Sequence, residues 1–212
     1  MSVFVDQILE LKNGDNMKKP GIFVEKNVFD PKQVKAVYDF IIKNDTLFDD
    51  DKFTKAQQIE AFIGTTIPFK LLDIYTEATF GIKQFLNTVR FFTQRVIHDK
   101  IGELHIPDNT ELVKWKEGRS MSTHSDNSWP DGSQKNHPTS FRTWSAIFYI
   151  NDDYEGGEIE FPLKKFTYKP KSNSLVVFPS TSEYLHGVKE VTKGTRYTVA
   201  IWYTQNFAHI EI

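Results

Sequence analysis

Cysteine is missing from this chain of 212 residues. Its absence excludes disulfides, thiolate metal sites and a cysteine nucleophile, and it leaves the redox compartment open. No sign of charge dominates either. Lys and Arg number 26 against 28 Asp and Glu, for a formal net charge of -2. Such a balance offers no global basic field to nucleic acid or to an acidic membrane. No uninterrupted apolar run approaches the ~20 residues of a membrane span. The first residues place Asp6, Glu10 and Lys12 among their apolar positions, unlike the continuous apolar centre of a signal peptide. Internal repeats and low-complexity linkers are absent too. These absences predict a single domain over residues 1–212, cytoplasmic, a monomer or weak dimer, and bound to neither nucleic acid nor membrane.

What is present divides near residue 110. Phe is abundant, at 18 residues, and promises an aromatic core. Residues 1–110 read as a helical support region. Gly21–Phe29 suggests an entering strand, and Asp30-Pro31 a helix start with Asp as N-cap and Pro at N1. Val34, Val37, Tyr38, Ile41 and Ile42 then repeat at the spacing of one buried helix face. Ile82, Phe85, Leu86, Val89, Thr93 and Val96 repeat it again. Asp49-Asp50-Asp51 between them reads as a solvated loop, and His98 and His105 as surface or capping residues.

Residues 111–207 read as short strands. Leu112–Lys116, Trp144–Ile150, Glu158–Phe161, Ser174–Phe178 and Thr195–Thr204 are rich in β-branched and aromatic residues. Asp131-Gly132, Gly156-Gly157 and Lys193-Gly194 punctuate them as turns. The fold class expected is α+β: a double-stranded β-helix, or jelly-roll, with the N-terminal helices packed on one sheet.

The chemistry lies in the second half. In a strand, residues i and i+2 share a face, so His124 and Asp126 can reach one point while Ser125 turns away. A jelly-roll can bring a late strand beside an early one, and His186 is then available as a third ligand. Two histidines and one carboxylate form the facial triad of a non-haem Fe(II) oxygenase. A His-x-Asp pair also arises by chance in a chain with 6 His and many acids. Arg196 follows His186 closely enough to hold the far carboxylate of a 2-oxoglutarate co-substrate. Thr198 shares its strand face with Arg196.

The run from His186 to Tyr203, with Arg196 and Trp202 in frame, resembles the closing strands of the prolyl 4-hydroxylase-type 2-oxoglutarate/Fe(II) dioxygenases. Arg142-Thr143-Trp144-Ser145-Ala146-Ile147-Phe148-Tyr149-Ile150-Asn151 resembles that family's Arg, Thr, Tyr-Leu-Asn strand. Gly156-Gly157-Glu158-Ile159-Glu160-Phe161-Pro162 resembles its Gly-Gly-Glu-Thr-x-Phe-Pro. The resemblance implies His124, Asp126 and His186 as iron ligands and Arg196 as the co-substrate clamp, with the Tyr149 hydroxyl on the same carboxylate. It implies Fe(II), 2-oxoglutarate and dioxygen, with ascorbate as an accessory. It further implies a mobile substrate loop over Asn127–Phe141, with Asn127 and Arg142 toward the substrate and Trp129 and Trp202 at the entrance. His137 reads as an exposed loop histidine.

Two departures stand out. Trp115, Gly118 and Met121 occupy the frame in which the family carries Tyr-x-x-Gly-x-x-Tyr before its first ligand. Trp115 offers only an indole N–H to the co-substrate, and Met121 offers no donor. The expected reaction is hydroxylation of a prolyl residue in a peptide or protein. A hydroxylase of a free amino acid or other small molecule, and a binding jelly-roll without chemistry, are the alternatives. Asp126 speaks against a halogenase. Trp202, where nucleic-acid demethylases carry a second arginine, speaks against those enzymes.

Overall fold

Asp30 does cap a helix. Its side chain accepts from the Lys32 backbone N–H, and Pro31 stands in the first turn of α1 (Pro31–Lys43). The computed structural model describes residues 21–45, 65–68 and 77–211. The Asp49–Asp51 run lies outside them. Strand β1 (Phe23–Lys26) precedes α1, and β2 (Thr65–Pro68) and α2 (Glu77–Ile101) follow it. All six residues of the periodic pattern from Ile82 to Val96 are buried. On α1 the pattern holds less well. Val34 and Ile41 are buried, but Ile42 is 47% exposed, and Phe40 joins the core margin instead. Gly102 ends α2 at positive φ, its N–H on the His98 carbonyl at 2.7 Å. No helix among the described residues is long and apolar enough to cross a membrane.

The remaining strands are β3 (Ile106–Lys116), β4 (Met121–His124), β5 (Arg142–Tyr149), β6 (Glu155–Gly156), β7 (Ile159–Phe161), β8 (Phe166–Tyr168), β9 (Ser174–Pro179), β10 (His186–Val188), β11 (Val191–Lys193) and β12 (Thr195–Thr204). They form a six-stranded sheet in the order β1-β9-β5-β12-β3-β2 and a four-stranded sheet in the order β4-β10-β7-β8, with β11 and β6 as a separate ribbon. All pairings are antiparallel. This is the jelly-roll arrangement the turn spacing predicts.

The period of two along β12 assigns its side chains to two environments. Tyr197, Val199, Ile201 and Tyr203 join the core against α1 and α2. Arg196, Thr198, Ala200 and Trp202 face a cleft between the two sheets. The helices therefore cover the outer face of the large sheet, as expected. Their apolar faces are buried there, and Phe29, Phe85 and Phe148 meet edge-on or tilted with centroids 5.4–5.7 Å apart.

His105 departs from the expectation of a surface residue. It is 3% exposed, its Nδ1 lies 2.8 Å from the Thr143 hydroxyl, and its ring meets Trp144 edge-on at 6.2 Å. The apolar wall of Trp144 and a ready hydroxyl partner outweigh the preference of imidazole for water. His98, with a side chain 58% exposed, does lie at the surface.

Candidate active site

Strand pairing brings two of the three proposed ligands together. His186 on β10 stands directly opposite His124 on β4, with ring centroids 4.4 Å apart. Gly187 permits this approach, because a Cβ there would lie 3.0 Å from the Met121 carbonyl oxygen. Asp126 arrives differently from the i, i+2 reading. β4 ends at His124, and Asp126 occupies a bend beyond it, where its N–H donates to the Ser180 carbonyl at 3.2 Å. The bend still directs the carboxylate inward. Asp126 Oδ1 lies 3.5 Å from His124 Nε2, and Oδ2 lies 3.5 Å from His186 Nε2.

One ligand atom from each of these residues falls within 4.8 Å of the others, and no other such group of three occurs among the described residues. The backbone carbonyls of Ser122 and Tyr184 lie 2.9 and 3.1 Å from Nδ1 of His124 and His186. A carbonyl only accepts, so Nδ1 carries the proton and Nε2 of a neutral ring presents its lone pair to the centre. Burial opposes the charge of Asp126, but the two imidazoles and the Ser145 hydroxyl hold its carboxyl far below the usual carboxylate range. Burial lowers His186 to about 4, against the pull of Asp126, so its ring is neutral at pH 7. At His124 burial also opposes charge, but Asp126 outweighs it and the pKa rises.

The same cleft reaches Arg196, which is 1% exposed. Its guanidinium carbon lies 5.0 Å from the Trp115 ring centroid and 5.1 Å from that of Tyr149. Nε, Nη1 and Nη2 of Arg196 make no hydrogen bond of good geometry, nor do the hydroxyls of Tyr149 and Tyr154 or the indole N–H of Trp115, although the two phenol oxygens lie close beside the guanidinium. Burial raises the pKa of both phenols, which stay protonated beside the arginine charge. Unpaired buried donors are costly, and a buried cation more so. A cluster of donors around one cation, with no carboxylate or carbonyl to accept from them, has the chemistry of a carboxylate site. Thr198, paired in register with Tyr149, lines the cleft beside them.

The paired glycines build the back of this site. Both have positive φ. A Cβ on Gly157 would lie 3.0 Å from Arg196 Cδ and 3.0 Å from the Tyr154 ring, and one on Gly156 would lie 2.0 Å from the Glu190 carbonyl oxygen. Tyr154 and Ser145 are the residues that sequence reasoning missed. Tyr154 follows Asn151 with no motif of its own. Ser145 stands inside the Arg142–Asn151 segment and looks like an ordinary strand residue.

Trp202 and Met121 line the cleft. Arg142 lies over the Trp202 ring at 4.3 Å, and its Nε donates to Asp108 Oδ2 at 3.1 Å. Asn127 is 3% exposed and donates to the Arg142 carbonyl at 2.9 Å, which makes it a brace under that strand. Trp129 is 45% exposed and outside the cleft lining, its indole N–H on the Lys135 carbonyl and its ring against His137.

Residues 110–204 match the family model of the 2OG-Fe(II) oxygenase superfamily. Human prolyl 3-hydroxylase 2 is 49% identical over 69 residues, which is 30% of this chain and 10% of that protein. Chicken prolyl 3-hydroxylase 1 is 30% identical over 158 residues, which is 68% of this chain and 21% of that protein. The chain thus spans a small part of the length of these curated relatives. A Trichoplax adhaerens prolyl hydroxylase, solved with a hypoxia inducible factor peptide fragment, superposes with a TM-score of 0.62 at 16% identity, covering 87% of this chain and 84% of that one. At that identity the likeness speaks for the fold. The His124–Asp126–His186 group, Arg196 and the Gly156-Gly157 turn all lie inside the stretch of residues 110–204 that matches the 2OG-Fe(II) oxygenase superfamily model.

Proposed function

We propose that this protein is a 2-oxoglutarate- and Fe(II)-dependent dioxygenase that hydroxylates a prolyl residue in a peptide or protein, with succinate and carbon dioxide as co-products. The observation that carries the reading is the sharing of one cleft by a group fit for a divalent metal and a buried, unpaired guanidinium. His124, Asp126 and His186 would hold Fe(II). Arg196 would hold the distal carboxylate of 2-oxoglutarate, since a guanidinium stays charged when buried and pairs with carboxylate bidentately. Tyr149, Tyr154 and Trp115 offer further donors, and Thr198 lines the same wall. Iron with 2-oxoglutarate and dioxygen supplies the oxidising power that no side chain has. Ascorbate is the accessory expected with them.

The chain's own residues orient and enclose. The orphaned donors around Arg196 are already in place, so a dicarboxylate finds them arranged in advance. Val113, Ile147, Phe178, Val188 and Ala200 make the lining mostly apolar and exclude water from the centre. Trp202, backed by Arg142, offers a flat aromatic face at which a prolyl ring can rest. The names of the curated relatives favour a prolyl substrate, and the sequence likeness favours position 3 of its ring.

Anaerobic mixing of the protein with Fe(II) and 2-oxoglutarate tests the cofactor pair. A visible charge-transfer absorption is expected, and His186→Ala should abolish it while circular dichroism stays unchanged. Its absence in the unaltered protein overturns the reading. A proline-containing peptide library with mass detection should then show a gain of about 16 Da, one oxygen atom, as this oxygenase chemistry requires. Hydroxylation of free amino acids alone would replace the peptide substrate with a small molecule.

A further inference from the structure

Ser145 projects from β5 into the cleft and is 2% exposed. Its Oγ lies 2.6 Å from Asp126 Oδ2 and 2.7 Å from Ser180 Oγ. The direction of each bond follows from counting protons. An ionised carboxylate can only accept, so Ser145 donates to Asp126, at the short distance of a charge-assisted bond. Ser145 has one hydroxyl proton and has used it. Ser180 must therefore donate to Ser145. The backbone of Ser180 is held in turn: its N–H donates to the Thr143 carbonyl at 3.0 Å, and its own carbonyl accepts from Asp126 N–H and from Ser125 Oγ at 2.9 Å. Ser125 has then spent its proton, so Ser128 donates to Ser125 at 2.8 Å. Ser125, Ser128, Ser145 and Ser180 are all buried.

We propose that Ser145 and Ser180 are positioning residues for the metal. Their hydroxyls form a one-way relay that occupies Oδ2 of Asp126, sets the rotation of the carboxylate before any ion arrives, and leaves Oδ1 as the oxygen offered to it. The proposal rests on the triad reading above. An unrestrained carboxylate can rotate about its last bond or chelate with both oxygens. Chelation would consume a coordination position that a facial triad must leave open for co-substrate or dioxygen. A strong donor on one oxygen opposes both outcomes. The relay joins the end of β9 to β5 and to the bend after β4, so the ligand geometry is fixed by the sheets and not by the metal.

Titration calorimetry with Mn(II) alone, under conditions that exclude turnover, tests the assignment. Ser145→Ala should weaken Mn(II) binding about 10–100-fold, the range for losing an outer-shell partner. Ser145→Thr should bind as the unaltered protein does, because the hydroxyl returns. Ser180→Ala should weaken binding less, about threefold to tenfold, because Ser145 still donates but loses its own support. The Ser145→Ala/Ser180→Ala pair should bind no worse than Ser145→Ala, since both act through one bond. Circular dichroism and melting of the metal-free variants check that each folds. Mn(II) binding by folded Ser145→Ala within threefold of the unaltered protein overturns the proposal. If Ser145→Ala fails to fold, unchanged binding by Ser180→Ala overturns it. If the unaltered protein does not bind Mn(II), or His186→Ala binds it equally well, the triad reading fails instead.

Discussion

Asp108 lies beneath Arg142, its Oδ2 accepting from the arginine Nε at 3.1 Å, and the pair is largely buried beside Trp202. Burial raises the Asp108 pKa, while Arg142 works to lower it. Arg142 therefore has an internal partner in addition to any substrate role. Removing it alone leaves a buried acid, at a cost of about 3–5 kcal/mol for a broken buried pair. Arg142→Ala should melt well below the unaltered protein, and Arg142→Met with Asp108→Asn should recover much of that loss. In the double variant 2-oxoglutarate binding should persist while peptide hydroxylation falls. Loss of 2-oxoglutarate binding there would move Arg142 from the substrate side to the co-substrate side.

Arg196 and Tyr154 would hold the same carboxylate, the distal one of 2-oxoglutarate, and differ in how much each contributes. Arg196→Ala should cost on the order of 2–4 kcal/mol, raising the apparent 2-oxoglutarate constant thirtyfold or more. Tyr154→Phe deletes one donor and should weaken 2-oxoglutarate about tenfold. Neither variant should alter binding of 2-oxobutyrate, which lacks the distal carboxylate, beyond threefold. Titrations with both acids, followed by tryptophan fluorescence, measure the contrast. Equal weakening of the two acids would mean that these side chains shape the cleft without reading the carboxylate.

Gly156 and Gly157 differ in what a methyl group would meet. At Gly157 it presses on Arg196 Cδ and the Tyr154 ring, both at 3.0 Å, and at Gly156 it meets the fixed Glu190 carbonyl oxygen at 2.0 Å. Positive φ adds about 1–3 kcal/mol of strain at either position. Gly157→Ala should fold with a lowered melting temperature and weakened 2-oxoglutarate binding. Gly156→Ala should lose more stability, because backbone cannot yield as a side chain can. Denaturant unfolding of both orders them.

His105 contributes a pH dependence away from the His124–Asp126–His186 cluster. Burial holds its pKa below the ordinary 6.5, against the pull of Glu103. The unfolded chain thus takes up this proton first as pH falls. The stability linked to a neutral His105 is complete above 6.5 and declines below it, until the folded form protonates as well. His105→Gln should be less stable at pH 8, through loss of the Thr143 contact, yet lose less on going to pH 5. Parallel melting curves for the two proteins would show that His105 does not carry this effect.

Local order was largely legible in the chain. The Asp30-Pro31 start and the apolar spacing from Ile82 to Val96 encode helix by capping and by period. The alternation along β12 encodes a strand with two different faces. The candidate ligands and Arg196 could be named because the run from His186 to Tyr203 and the segments before it resemble a known family in order and spacing, whereas the His-x-Asp pair alone arises readily by chance. Three things depended on tertiary structure. Asp126 reaches the centre from a bend held by the Ser180 carbonyl, not by strand alternation. His105 is internal because Trp144 and Thr143 meet it there. Ser145, Ser180 and Tyr154 carry no signal in one dimension, since a hydroxyl suits a strand or a turn equally well. The roles proposed for them depend on the sheet pairing that brings them beside Asp126 and Arg196, where burial removes water and leaves few acceptors for each proton.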